Sequence, residues 1–133
     1  MALSADTPRA YELGENNILP VLGSTKIYEG AAIGLSSGYA RGLVAGDSFQ
    51  GFALEQADNS AVATNGAINV LVKIKGKVQI TLTSVAITDV GSKVYMSADG
   101  TFTLTSSGNS VVGHIHRYVT TNTCVIEFYP TPS

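Results

Sequence analysis

Two histidines, His114 and His116, stand two positions apart. On an extended strand that spacing turns both imidazoles to one face, within reach of a single ion. Two ligands leave a coordination shell open, so a metal site would have to draw on carboxylates or on Cys124. The expectation is no metal, with the histidines on an exposed or interface face where they would make an assembly sensitive to pH. Cys124 is the single cysteine, which excludes an intramolecular disulfide. As a nucleophile it would need an accessible thiol, yet it alternates with Ile126 and Phe128. That places it on a core face, where a thiol acts as a small apolar side chain. The segment Gly46-Asp47-Ser48-Phe49-Gln50-Gly51 is one residue too long for a nucleophile elbow, and Gly23-Ser24-Thr25-Lys26 lacks the loop that cradles a phosphate. No close pair of acidic residues on one strand face suggests a general acid and base. These residues predict a chain with no catalytic site and no cofactor.

Lys73, Lys75 and Lys77 form a third candidate, a row of positive charge on one face of a strand. Such a row meets phosphates or an acidic protein patch, or it keeps a sheet face solvated. Nucleic acid is not expected as a partner: the net charge is -2, and no exposed aromatics accompany the lysines to stack bases. The charge is unevenly spread, with three basic and seven acidic side chains in residues 1–60 against five basic and three acidic in residues 61–133. An acidic patch on a protein partner therefore suits the lysines better than a polyanion. Tyr11, Tyr28, Tyr39 and Tyr129 fall near the N-terminal segment, turns and strand ends, where a rigid aromatic with a polar tip suits a partly wet contact.

The elements that carry these residues read as β throughout. In 133 residues the apolar share is 44% and the charged share only 14%, well under the usual quarter. Serine, threonine and asparagine supply the missing polarity, as on the polar faces of strands. From Ile68 to Leu82 every even position except Gly76 is apolar, while Lys73, Lys75, Lys77, Gln79 and Thr81 hold odd positions. This is a period of two. At about 3.3 Å per residue the run would reach about 50 Å, too long for one straight strand here, so a bulge or sharp bend is predicted at Gly76. Two hairpins follow. The first turns at Asp99-Gly100 and sets Val94 and Met96 against Phe102 and Leu104; the second joins Val111–Val119 to Cys124–Tyr129. Helix has room only around Leu54 to Ala63, where Asp58-Asn59-Ser60 limits it to a single turn.

The expected architecture is all-β: residues 18–133 as a single compact barrel-like or sandwich-like β domain, with a long bent strand and terminal hairpins. Residues 1–17 lack either apolar period and are expected to form an extended N-terminal arm that orders against a partner. No segment approaches the about 20 apolar residues needed to cross a bilayer, and Met1-Ala2-Leu3-Ser4-Ala5-Asp6 shows no basic leader. Cytoplasmic synthesis and no membrane partner are expected.

The order of segments from Ile27 to Tyr129 resembles the capsid decoration (cement, or head-stabilising) proteins of tailed bacteriophages. The similar features are Phe49-Gln50-Gly51-Phe52-Ala53, Lys75-Gly76-Lys77-Val78, Gly91-Ser92-Lys93-Val94-Tyr95, Asp99-Gly100-Thr101-Phe102 and Val112-Gly113-His114. The resemblance implies a structural virion protein on the capsid exterior that binds the major capsid protein, clamps neighbouring subunits and associates with itself, most often as a trimer. It implies a contact surface made of the arm and exposed loops, for which Pro8, Arg9, Tyr11, Leu13, Ile18, Leu19, Tyr28, Tyr39, His114 and His116 are the candidates. Two alternatives stand beside it: another virion component, such as a tail-tube or fibre-associated β domain, and a carbohydrate-binding module. The absence of tryptophan weighs against the last.

Overall fold

Alternating apolar side chains and frequent glycine turns give twelve short strands among the described residues, which in a computed structural model are 2, 4–10 and 12–131. In chain order they are β1 (Asn16–Pro20), β2 (Lys26–Ile27), β3 (Ile33–Ser36), β4 (Tyr39–Gly42), β5 (Phe52–Ala53) and β6 (Ala57–Asp58). Then come β7 (Asn69–Lys73), β8 (Gly76–Thr81), β9 (Lys93–Ala98), β10 (Thr101–Thr103), β11 (Ser110–Thr120) and β12 (Thr123–Phe128). The chain is all-β. The main sheet has the order β10-β9-β11-β12-β8, a second has the order β1-β7-β5, and β2-β6 and β3-β4 form two-stranded ribbons. The main sheet stays open, with β10 and β8 at its edges.

The run from Ile68 to Leu82 divides between the two larger sheets. β7 pairs with β1 and β5, whereas β8 pairs with β12 along its whole length. Gly76, at φ +144°, is the corner, a conformation that costs glycine little and other residues much. The inward alternation survives the turn: Val70 and Val72 enter one core cluster, Ile80 and Leu82 the other. One periodic segment thereby ties two hydrophobic clusters together. Phe49, Phe52, Phe102 and Phe128 lie in or against the larger cluster, with the Phe52 and Phe128 rings edge-to-face at 4.8 Å. Each fully buried large side chain stabilises the fold by about 1.5–3 kcal/mol. Gly51, at φ +118°, lets its segment pass close to β7, since a Cβ there would strike the Lys73 carbonyl oxygen.

Both hairpins form. Asp99-Gly100 links β9 to β10, and Thr121-Asn122 links β11 to β12, whose Cys124, Ile126 and Phe128 face the core. Three local expectations need correction. Leu104 is exposed rather than packed in the core, because β10 ends at Thr103, whose hydroxyl accepts the Thr105 N–H and turns the chain away. The segment from Leu54 to Ala63 contains β6 and no helical turn; the 3-10 turn lies at Ile87–Asp89, where the Asp89 carboxylate accepts the Ala86 N–H. Finally, β1 already includes Asn16 and Asn17.

Candidate functional site

The N-terminal segment meets the fold at β1, an edge strand. Because the Val21 N–H donates to the Ile68 carbonyl, alternate residues of this antiparallel pair direct their backbone groups to β7, and those of Ile18 and Pro20 face away from it, with β4 meeting the Pro20 end through the Val21–Ala40 bridge. That edge is partly closed. The Asn17 side-chain oxygen accepts the Ile18 N–H at 2.9 Å, and Pro20 has no N–H to offer.

The apolar side chains near this edge are another matter. Leu13 is 99% exposed and Ile18 is 62% exposed. Ile18 lies opposite Leu71 in the ladder, and both line a shallow cavity of about 370 Å³ with Asn16, Asn17 and Glu12. Leu54, also exposed, donates its N–H to the Leu71 carbonyl, while Glu55 accepts the Leu71 N–H and completes the ladder where β5 stops. Ile18, Leu71 and Leu54 thus run across the second sheet, with acidic side chains nearby.

The other sequence-derived candidates are scattered. Pro8 and Arg9 are exposed and outside any strand, and Tyr11 lies outside the described residues. Leu19 packs against the smaller core cluster, so its side chain is taken up within the fold. Tyr28 is exposed beneath the Lys26 ammonium, 5.1 Å from the ring centroid, and Tyr39 is half-buried. His114 is half-buried, paired with Glu127 across the β11–β12 ladder and 6.3 Å from the Tyr129 ring. His116 is exposed at a bulge between Ile115 and Arg117, so the simple alternation expected to align the two imidazoles is interrupted there. Among the described residues no group of three or more histidine, cysteine and acidic side chains could hold a metal ion. Cys124 is fully buried, and burial pushes its thiol pKa up, the opposite of what a reactive thiolate requires.

The corner between β7 and β8 gathers Lys73, Lys75 and Lys77 around one groove of about 430 Å³, floored by Phe128 and Tyr129 and flanked by Glu15 and Glu127. None of these lysines makes an ion pair among the described residues. The ion pair that does form joins Arg41 to Asp47. The guanidinium donates twice, Nε to Oδ2 at 3.0 Å and Nη2 to Oδ1 at 2.8 Å, and the Val44 N–H also donates to Oδ2. Burial opposes ionisation of Asp47, but the hydrogen bonds from Arg41 and Val44, with the nearby positive charge, outweigh it and hold its pKa below the usual carboxylate value. Sequence reading missed this pair, since its partners lie six positions apart with a turn between them. The signal within reach was Gly46-Asp47 after a strand that ends in Arg41-Gly42.

No protein-family model matches the chain, and no curated protein is similar enough to count as a relative. No helix of the described residues is long and apolar enough to cross a membrane.

Proposed function

We infer that this chain is a structural protein of the virion that decorates the outer surface of a tailed-bacteriophage capsid and holds neighbouring major capsid subunits together. The observation that carries the reading is an N-terminal segment whose described residues from 2 to 13 are all exposed, with Leu13 wholly uncovered, leading into an edge strand whose Ile18 is uncovered as well. Covering two such side chains yields about 1.5–3 kcal/mol each. Ordering the segment costs about 1–2 kcal/mol per residue of backbone, so one such arm binds poorly alone. Several arms on one rigid oligomer, a trimer in this reading, share the loss of translational freedom, and avidity makes the contact strong. A β body knit through two core clusters suits that mechanical duty.

The experiment is to mix purified protein with expanded, undecorated heads and to follow co-sedimentation against protein concentration. The reading expects saturation at a fixed ratio of copies to coat subunits. Failure to bind at any salt concentration would overturn it.

A further inference from the structure

The main sheet leaves its β8 edge open. β8 ends the order β10-β9-β11-β12-β8, and among the described residues no backbone or side-chain hydrogen bond from another element reaches Lys77 through Thr81 on the side away from β12. The Leu82 N–H donates to the Asn122 carbonyl, in register with the β8–β12 ladder. Alternate residues of an antiparallel strand turn their backbone groups to the same side, so Val78 and Ile80 bond to β12. The N–H and C=O groups of Lys77, Gln79 and Thr81 therefore face outward without partners. β1, also an edge strand, has its outward Ile18 N–H taken by Asn17, no N–H at Pro20, and β4 bridged to Val21 at its end. β8 has neither device.

Two cavities adjoin the open edge. One, of about 320 Å³, opens along Val78 to Thr81 over Phe52 and Phe102. The other is the lysine groove around Lys75 and Lys77. An edge protected by lysine alone needs no apolar hollow beside it.

We propose that the β8 edge is a strand-addition site for an extended peptide of a partner protein in which acidic and apolar residues alternate. The main chain of the peptide bonds to Lys77, Gln79 and Thr81. Its apolar side chains enter the hollow beside Val78 and Ile80, and its carboxylates meet the lysines on the other face, as cross-strand pairs do. Charge complementarity selects the occupant: in the lysine groove Lys73, Lys75 and Lys77, none of them in an ion pair among the described residues, outnumber Glu15 and Glu127 and leave a net positive charge. The site goes beyond the capsid reading and does not depend on it.

The probe is a labelled synthetic peptide of alternating glutamate and valine, about six residues long to match β8. Alternating lysine–valine and glutamate–serine peptides serve as comparisons. Titration into the full-length protein, followed by backbone amide NMR, is expected to give saturable shifts at Lys77, Gln79 and Thr81 with glutamate–valine only. Gln79→Pro removes an outward N–H without touching the β12 ladder and is expected to weaken binding about tenfold, the scale of a lost main-chain hydrogen bond and its neighbour. Lys75→Glu with Lys77→Glu keeps the fold should the proline variant lose it, and is expected to transfer preference to the lysine–valine peptide. The inference fails if glutamate–valine does not bind the folded protein, if binding survives both changes, or if the shifts fall on β1 or β10. It also fails if Lys77, Gln79 and Thr81 amides become protected with rising protein concentration alone, which would assign the edge to a second copy of this chain. Loss of head binding leaves this outcome unmoved, so the two readings fail separately.

Discussion

Replacing Asp47 with asparagine keeps the volume beside Gly34 and removes the charge that Arg41 and Val44 hold. The Asp47 side chain is 10% exposed and that of Arg41 is 31% exposed, so solvent screens the guanidinium and the pair belongs between the surface and buried limits. Hydrogen bonds to a charged group contribute about 1.5–3 kcal/mol when sheltered, and exposed pairs about 1 kcal/mol or less. We therefore expect Asp47→Asn to cost about 1–2 kcal/mol, a fall in melting temperature of about 3–10 °C. The pH dependence sharpens the test. The folded-state pKa of Asp47 lies below its unfolded value of about 3.9. On acidification the unfolded chain takes up its proton first, so the stabilisation is complete above that value and is lost as pH falls through the folded pKa. Chemical denaturation of both proteins at neutral pH and at successively lower pH reads the effect directly. The gap between them should be widest near neutrality and close in acid. A gap that persists unchanged through the acid range, or that opens there, would refute the reasoning.

Gly51→Ala is expected to destabilise the fold by about 3 kcal/mol or more in thermal melts, because its φ is +118° and a Cβ would lie 2.8 Å from Val72 Cγ1 as well as against the Lys73 carbonyl. A melting temperature within a degree or so of the parent would contradict the close passage. Cys124 is expected to resist a thiol reagent in the folded protein and to react promptly in denaturant; equal rates would contradict its burial in the core. Leu13→Ser with Ile18→Ser is expected to change stability by no more than about 0.5 kcal/mol, since both side chains are exposed, while weakening attachment to heads. Unchanged attachment would remove the arm from the contact.

The all-β class was legible because an open sheet with one wet face writes its period into the sequence. The even residues from Ile68 to Leu82 face inward, and Gly76 marks the corner by interrupting the apolar face. What the alternation could not convey is that the halves join different sheets, since pairing with β1 and β5 depends on residues as far away in sequence as Asn16 is from Lys73. The two-residue strands β2, β5 and β6 are too short to carry a period, and their pairing is set by tertiary context. The bulge at His116 leaves no mark in side-chain pattern, which is why the histidine pair looked simpler than it is. Of the three apolar contact candidates around β1, Leu13 and Ile18 are exposed, whereas Leu19 turns inward with the strand's alternation, a distinction that the residue types alone do not carry. The open edge of β8 was invisible, because only the register with β12 shows which amides lack partners.

Cryo-electron microscopy of expanded heads incubated with the full chain tests the central claim most directly. The account predicts density for this β body at local symmetry axes on the outer shell, with its N-terminal segment lying along the coat surface. A bare shell under conditions that leave the protein folded and in excess would contradict it.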